Sequence, residues 1–531
     1  LYFTNSSIYG FYKYYKADDR QAYADVMANI NKRFGDLSLS ANIGGSFTQT
    51  YYDERGFQGG LKDMSNVFSL YNMTTTLDKD TYPIESGYKQ RTNSIFASAE
   101  IGWKSMLYMT LTGRNDWDSA LINTEQSSFF YPSIGLSGVI SEMVKLPKAI
   151  TYLKVRGSFA SVGAPIPKNL SSNKTYEWDP ATSQWKLQTY RPLPKLYPER
   201  TNSWEAGLNA KFFNNSLSLE VTWYKANTRK QTFQVPLSGT AVYATMYAQS
   251  GNIENKGMEF SLGYNKSWGD FSWNSNLTFS FNKNKIVELL DDAVDDEGNH
   301  YSLSEIDKGG IGSAKVILRK GGSMGDMYVT NRLKRDNEGN VFIDKASQNV
   351  KKEDIKNSDE FIHIGSVLPK SNLGFRNDFS YKGISLGFML AARFGGIVIS
   401  PTQAVMDQFG VSKVTALARD NEGVPVNNGK VDPQTYYTEV GGISGLMSNY
   451  VYSATNVRLQ ELSVGYSLPA KWFNNKCNLS LSITGHNLWM IYNKAPFDPE
   501  ATASTGTYYQ GVDYFMQPSL RSWGFNVKIQ F

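Results

Sequence analysis

The chain ends on Ser522-Trp523-Gly524-Phe525-Asn526-Val527-Lys528-Ile529-Gln530-Phe531. The odd-numbered residues are all large and apolar and the even-numbered ones are small or polar, so a strand puts every large apolar group on one face. An edge or sandwich strand resting on a core has the same period. Here, though, the strand ends the chain on an aromatic carboxylate, its other face is small and hydrophilic, and the alternation recurs in long stretches upstream. A transmembrane β-barrel has that combination, with apolar side chains toward lipid and polar ones toward the lumen.

The totals agree with this reading. A soluble chain of 531 residues would normally split into several domains, and nothing in this one marks a split. It is 41% hydrophobic, with a mean hydropathy of −0.40, which is too polar for a helical membrane protein. No uncharged apolar run approaches the ~18 residues of a spanning helix. The nearest, Ile384 to Ala392, has the length of a tilted spanning strand, ~9–11 residues. Ile384, Leu386, Phe388, Leu390 and Ala392 share one face, and Met389 leaves the other only partly polar. Aromatic residues, 14% of the chain, suit the interfacial girdles of a barrel and equally a tyrosine-rich sandwich or lectin.

The net charge of +5 is spread along the chain, and no basic block suggests nucleic-acid binding. Cys477 is the only cysteine, so an internal disulfide and a cysteine metal cluster are both excluded. The opening Leu1-Tyr2-Phe3 has no charged and apolar export signal behind it, so an N-terminal portion is expected upstream.

Residues 1 to 21 read as a surface loop. Strands are then predicted in pairs, at 22–34 with 37–50, 94–102 with 106–114, 129–140 with 151–162 and 201–212 with 216–226. Further pairs fall at 257–267 with 271–285, 372–381 with 384–394 and 455–466 with 477–488, and the last strand stands alone. Long connections fall at 51–93, 163–200, 227–256, 286–371, 395–454 and 489–519, with a shorter one at 115–128. Short turns on one side and long loops on the other are the pattern of outer-membrane barrels. The count is about 15 strands. If the C-terminus is periplasmic, an odd count puts residue 1 outside the cell, whereas bacterial single-chain barrels have an even number. Further N-terminal strands are therefore expected.

Several further runs stand out along the chain. Among them are Leu111-Thr112-Gly113-Arg114-Asn115-Asp116, Tyr131-Pro132-Ser133-Ile134-Gly135 and Leu153-Lys154-Val155-Arg156-Gly157-Ser158. The run from Leu196 to Gly207 and that from Asn252 to Glu259 continue the series. Near the end come Val457-Arg458-Leu459-Gln460, Leu462 to Pro469, Gly485-His486-Asn487-Leu488 and Phe497-Asp498-Pro499-Glu500. In their order and spacing over roughly residues 95 to 531 these runs resemble the C-terminal barrel of SusC/RagA-type TonB-dependent transporters of the Bacteroidota.

The resemblance implies an all-β protein, a transmembrane antiparallel β-barrel that is 22-stranded in the family, with a plugged lumen. Residues 1–531 would then be the C-terminal part of that barrel, with seven strands, the plug domain and the TonB-contacting segment outside this chain. It further implies localisation in the outer membrane of a Gram-negative cell and import of oligosaccharides or oligopeptides energised by TonB. The partners implied are a SusD-like surface lipoprotein acting as a lid, outer-membrane lipid, and a second transporter–lipoprotein pair. No cofactor is implied.

Within the matching runs, Glu205 and Glu259 fall on polar phases of their strands and should face the lumen. Arg114 and Asp116 stand at a strand end, where a charge pair or a loop anchor is expected. Gly257 follows a long loop and opens a strand, where a small residue permits a bend or bulge at a barrel rim.

Catalytic signatures are absent. His300, His363 and His486 have no ligand or HExxH spacing, and His486 lies on the polar phase of its strand. Gly135-Leu136-Ser137-Gly138 and Gly442-Ile443-Ser444-Gly445 are not nucleophile elbows, and Gly309-Gly310-Ile311-Gly312 needs only a loop. The acidic runs Asp291 to Glu297 and Asp336 to Asn340 do not fit the EF-hand pattern and read as solvated loops. The remaining candidates are loop aromatics with polar neighbours, which can stack on sugars or grip peptide side chains, or equally bind the loops to each other or to a lid. They are Tyr176, Trp178, Trp185 and Tyr190 in one loop, and Trp489, Tyr492, Phe497, Tyr508, Tyr509, Tyr514 and Phe515 in another. A passive porin is the alternative to an importer, and a barrel enzyme is disfavoured for want of a nucleophile and base.

Overall fold

The computed structural model describes residues 9–73, 82–122, 124, 126–167, 170, 176–179, 184–187, 190–191, 197–236, 245–294, 300–474, 476–506 and 510–531. At 82, 176–179, 186–187, 190–191, 234–236, 245–246, 248, 250, 291–294 and 300–301 it describes the backbone alone.

Fifteen strands follow one another in one antiparallel sheet, each hydrogen-bonded to its neighbours in the chain. They are β1 (Phe11–Phe34), β2 (Leu37–Gly60), β3 (Tyr82–Trp103), β4 (Leu107–Asp118), β5 (Ser128–Val139), β6 (Ile150–Ala164), β7 (Glu199–Phe212) and β8 (Leu217–Pro236). The series continues with β9 (Thr245–Trp268), β10 (Phe271–Glu288), β11 (Ser371–Tyr381), β12 (Ile384–Phe394), β13 (Asn456–Ser467), β14 (Asn478–Asn493) and β15 (Ser522–Gln530). A two-residue strand, Tyr190–Arg191, adds in parallel beside the start of β9. Among the described residues, β1 and β15 each have a partner on one side only.

The expected pairs and short turns are present. At Lys382 and Gly383, which join β11 to β12, φ is 45° and 90°. Two left-handed residues are what a two-residue hairpin needs to match the twist of its strands. A Cβ on Gly383 would also lie 2.7 Å from the carbonyl of Ser467, so the neighbouring connection holds the glycine in place.

Register carries the alternation around the wall. One row on the apolar face runs Trp268, Phe271, Tyr381, Ile384, Tyr466, Leu481, Val527, strand to strand without a polar member. Its aromatic rings stack, with Trp268 and Phe271 centroids 5.9 Å apart. Both Phe525 and Trp523 are about two-thirds exposed, at 66% and 67%, as lipid-facing residues must be before lipid covers them. On the opposite face one row runs Lys211, Ser218, Gly263, Asn276, Arg376, Met389, Glu461, His486, Ser522. Met389 is its one apolar member.

Several connections differ from expectation. Residues 11–21 belong to β1, and Tyr14 stacks on Phe57 of β2 at 5.5 Å. Much of 51–93 and 227–256 is likewise strand. β1, β2 and β9 are 24 residues long, whereas ~9–11 cross the hydrocarbon. Beyond the lipid both faces of such a strand meet water, so the period of two that reveals a strand fades. Gly257 sits inside β9 rather than at its start. A Cβ there would lie 2.0 Å from the Phe281 carbonyl and 2.7 Å from the Tyr224 hydroxyl, so close approach of backbone and ring, not a bend, requires glycine.

The described parts of the long connections 289–370 and 395–455 carry strands and helices, and 494–521, with none among its described residues, packs against them through Val512. They build a cap with a four-stranded sheet: Glu305–Ile311, Ala314–Arg319, Asp326–Val329 and Ile362–Ser366. The cap also carries helices α1 (Pro401–Gln408), α2 (Lys413–Asp420) and α3 (Pro433–Val440). Ser400, Ser412 and Asp432 cap these helices, each accepting a backbone N–H three residues on. The cap has a dry core that includes Val316, Leu318, Met327, Ile399, Met447 and Val512. Phe233, Ile253 and Ile286 belong to the same core and come from the inner face of β8, β9 and β10. The cap is therefore seated on the wall, each such side chain contributing roughly 1.5–3 kcal/mol.

Candidate functional site

The inner face of the wall and the neck of the cap form the candidate site. Its arginines are held by carboxylates on their own or on nearby strands. Arg114 donates from Nε to Asp116 at 2.7 Å and from Nη2 to Ser94 at 2.6 Å, while the Tyr131 hydroxyl donates to Asp116 at 2.6 Å. The expected charge pair is thus present. Arg156 donates to Glu220 at 2.9 Å and to Thr222 at 2.6 Å, and Arg376 bridges Asp378 and Glu461. Glu205 and Glu259 lie in the inner-face rows beside Tyr224 and Thr222, as their parity predicted. His486 lies 3.7 Å from Glu461 on the same face.

A fourth cluster ties the last connection to the wall. Arg458, 5% exposed, donates from Nη2 to Asp498 at 2.9 Å and lies 3.0 Å from Glu500. Burial pushes the Asp498 carboxyl up, but the Ser519 hydroxyl, the Glu500 N–H and Arg458 outweigh it, so it titrates below the ordinary carboxylate range. Both residues lie in runs quoted above, forty positions apart, and nothing in a single sequence pairs them.

Two cavities adjoin along the inner face, of ≈ 740 Å³ and ≈ 470 Å³, with Tyr224, Glu259, Ser280 and Asn372 common to both. The larger also touches Arg156, Glu205 and Glu220. The smaller reaches the neck of the cap at Met324, Leu368 and Lys370.

The aromatic candidates separate. Tyr176–Asp179 and Gln184–Leu187 form a hairpin that puts Trp178 opposite Trp185, and Trp185 is exposed. The side chains of Tyr176, Trp178 and Tyr190, and the whole of Tyr508 and Tyr509, lie outside the described residues. Trp489 and Tyr492 are not in a loop: β14 extends to Asn493, and they pair with Leu459 and Val457 of the outer-face rows. There they belong with the girdle at the lipid boundary. Phe497 packs edge-on against Tyr452 at 5.5 Å, and Tyr514 and Phe515 are exposed beside each other. Of the acidic runs, Asp336 accepts the N–H groups of Glu338 and Asn340, which closes a turn, and 295–299 lie outside the described residues.

Residues 1–314 match the family described as TonB dependent receptor-like, beta-barrel. The chain belongs to that family. TonB-dependent receptor P3 of Formosa agariphila is 26% identical over 94% of this chain and 51% of its own length. The TonB-dependent receptor SusC of Bacteroides thetaiotaomicron is 22% identical over 84% of this chain and 44% of its own length. Among solved structures, the RagAB peptide importer in its open-open state superposes with a TM-score of 0.75 at 18% identity, covering 97% of this chain and 55% of that one. The SusC/RagA-type resemblance therefore holds, the sheet is the wall of a transmembrane β-barrel, and this TonB-dependent receptor chain is an outer-membrane protein. The chain spans about half the length of the curated relatives it matches.

Proposed function

We propose that the chain is the C-terminal part of an outer-membrane importer that draws its substrate through the barrel under TonB control. The family match over residues 1–314 carries this reading. The two wall edges with one partner each, and relatives about twice as long, support further strands and a plug beyond this chain. The likeness to SusC and to RagAB supports a SusD-like surface lipoprotein as partner, working in a pair of transporter–lipoprotein units. The substrate is an oligosaccharide or an oligopeptide. A cap docked on the inner face through Phe233, Ile253 and Ile286 suits gated uptake better than an open pore.

Uptake of labelled oligomers by cells with and without TonB tests the proposal. Import should vanish without TonB while the receptor still assembles. Equal uptake in both would support a passive porin instead. The Trp178–Trp185 hairpin is the proposed capture or lid-contacting element, together with Tyr176, Tyr190, Phe497, Tyr508, Tyr509 and Tyr514.

A further inference from the structure

We infer that the smaller cavity, under the neck of the cap, is a binding subsite for an uncharged oligosaccharide segment. Most of its polar lining is neutral, with Tyr224, Gln231, Asn255, Asn282, Asn284 and Asn372 outnumbering Glu259 and Lys370. They form an ordered shelf. The Tyr224 hydroxyl donates to Asn282 Oδ1 at 3.0 Å, and the amide groups of Asn282 and Asn284 both donate to Asn255 Oδ1, at 3.2 and 3.0 Å. The Met324 N–H holds Asn284 Oδ1 at 2.8 Å. Asn255 Oδ1 is thereby filled and its NH₂ left for the cavity. Gln231 Oε1 is buried with no partner, an acceptor that costs free energy until something donates to it.

The other side of the cavity is apolar, from Ile253, Met324, Leu368 and Pro369. A sugar ring has the same division, an apolar C–H face and a rim of hydroxyls that both donate and accept. Glu259 and Lys370 bring one charge of each sign, so no net field selects a polyanion or polycation. β10 pairs with β11 as far as Phe281, and beyond it the neck of the cap takes up that edge, the Asn282 and Ile286 N–H groups donating to the carbonyls of Lys370 and Gly322, which disfavours an extended peptide backbone added there. This assignment rests on the import reading and names the substrate class for it.

The test offers cells carrying the full-length receptor three labelled pools of matched size: neutral oligosaccharides, uronate-rich oligosaccharides and peptides. Receptor-dependent uptake of the neutral pool is expected, falling at least tenfold in Asn372→Leu, whose side chain makes no hydrogen bond among the described residues and whose loss should leave assembly intact. Receptor-dependent uptake of the peptide or uronate pool in place of the neutral one would overturn the inference and leave import standing. Neutral uptake unchanged in Asn372→Leu, with Gln231→Leu equally silent, would also overturn it. Uptake of no pool would contradict import itself.

Discussion

Arg458 shows how much can rest on one residue. Its guanidinium is buried between Asp498 and Glu500, and removing one partner of such a pair strands the other in a low-dielectric site. Arg458→Leu should therefore destabilise the attachment of the 494–521 connection by about 3–5 kcal/mol. Limited proteolysis of assembled receptor would register this as faster cleavage in that connection. The same cluster predicts a pH dependence. Because the folded-state pKa of Asp498 is lowered, its contribution is complete above the ordinary carboxylate pKa and is lost as pH falls through the folded value. Protection of 494–521 should weaken in acid, and Asp498→Asn should flatten that part of the profile; a profile unchanged by the substitution would remove Asp498 from the account. Gly257 makes the steric counterpart, since Gly257→Val has no room beside Phe281 and Tyr224. Folded, heat-modifiable receptor should fall sharply in that variant, as measured by gel mobility.

The elements of the wall and of the cap were unequally legible. Strands such as β12 and β15 could be read directly, because hydrocarbon on one side and water on the other write a strict period of two. The upper halves of β1, β2 and β9 could not, because both their faces are wet. The cap was hidden for another reason. Its strands are two to seven residues long and its helices eight, too short for a period to show, and its core joins residues from three separate connections to Phe233 and Ile253 on the wall. The inner-face carboxylates Glu205 and Glu259 were found by parity, whereas Arg156–Glu220 needs the register of strands distant in sequence and Arg458–Asp498 the path of the connection that follows β14. Trp489 and Tyr492 were misplaced because Asn487, with φ at 53°, and the register shift beside it interrupt the pairing just before them, so polar Asn487 reads as the end of the strand. The cap's dependence on the wall can be checked. Phe233→Ala should cost about 3–5 kcal/mol and open the cap to protease while the barrel stays intact on a gel. Trp178→Ala with Trp185→Ala should lower ligand capture without lowering assembly, and unchanged uptake would take the hairpin out of the binding account.

For the molecule as a whole, everything follows from a wall with hydrocarbon on one surface and water on the other. Cysteine scanning of β15 tests this most directly, in full-length receptor reconstituted in lipid, with Cys477 first replaced by serine. Labels at Phe525, Val527 and Ile529 should be quenched by spin-labelled lipid and spared by a water-soluble quencher, and labels at Gly524, Asn526 and Lys528 should be spared by the lipid quencher. Lipid quenching with no period of two along Gly524 to Ile529, or none at all, would contradict the account.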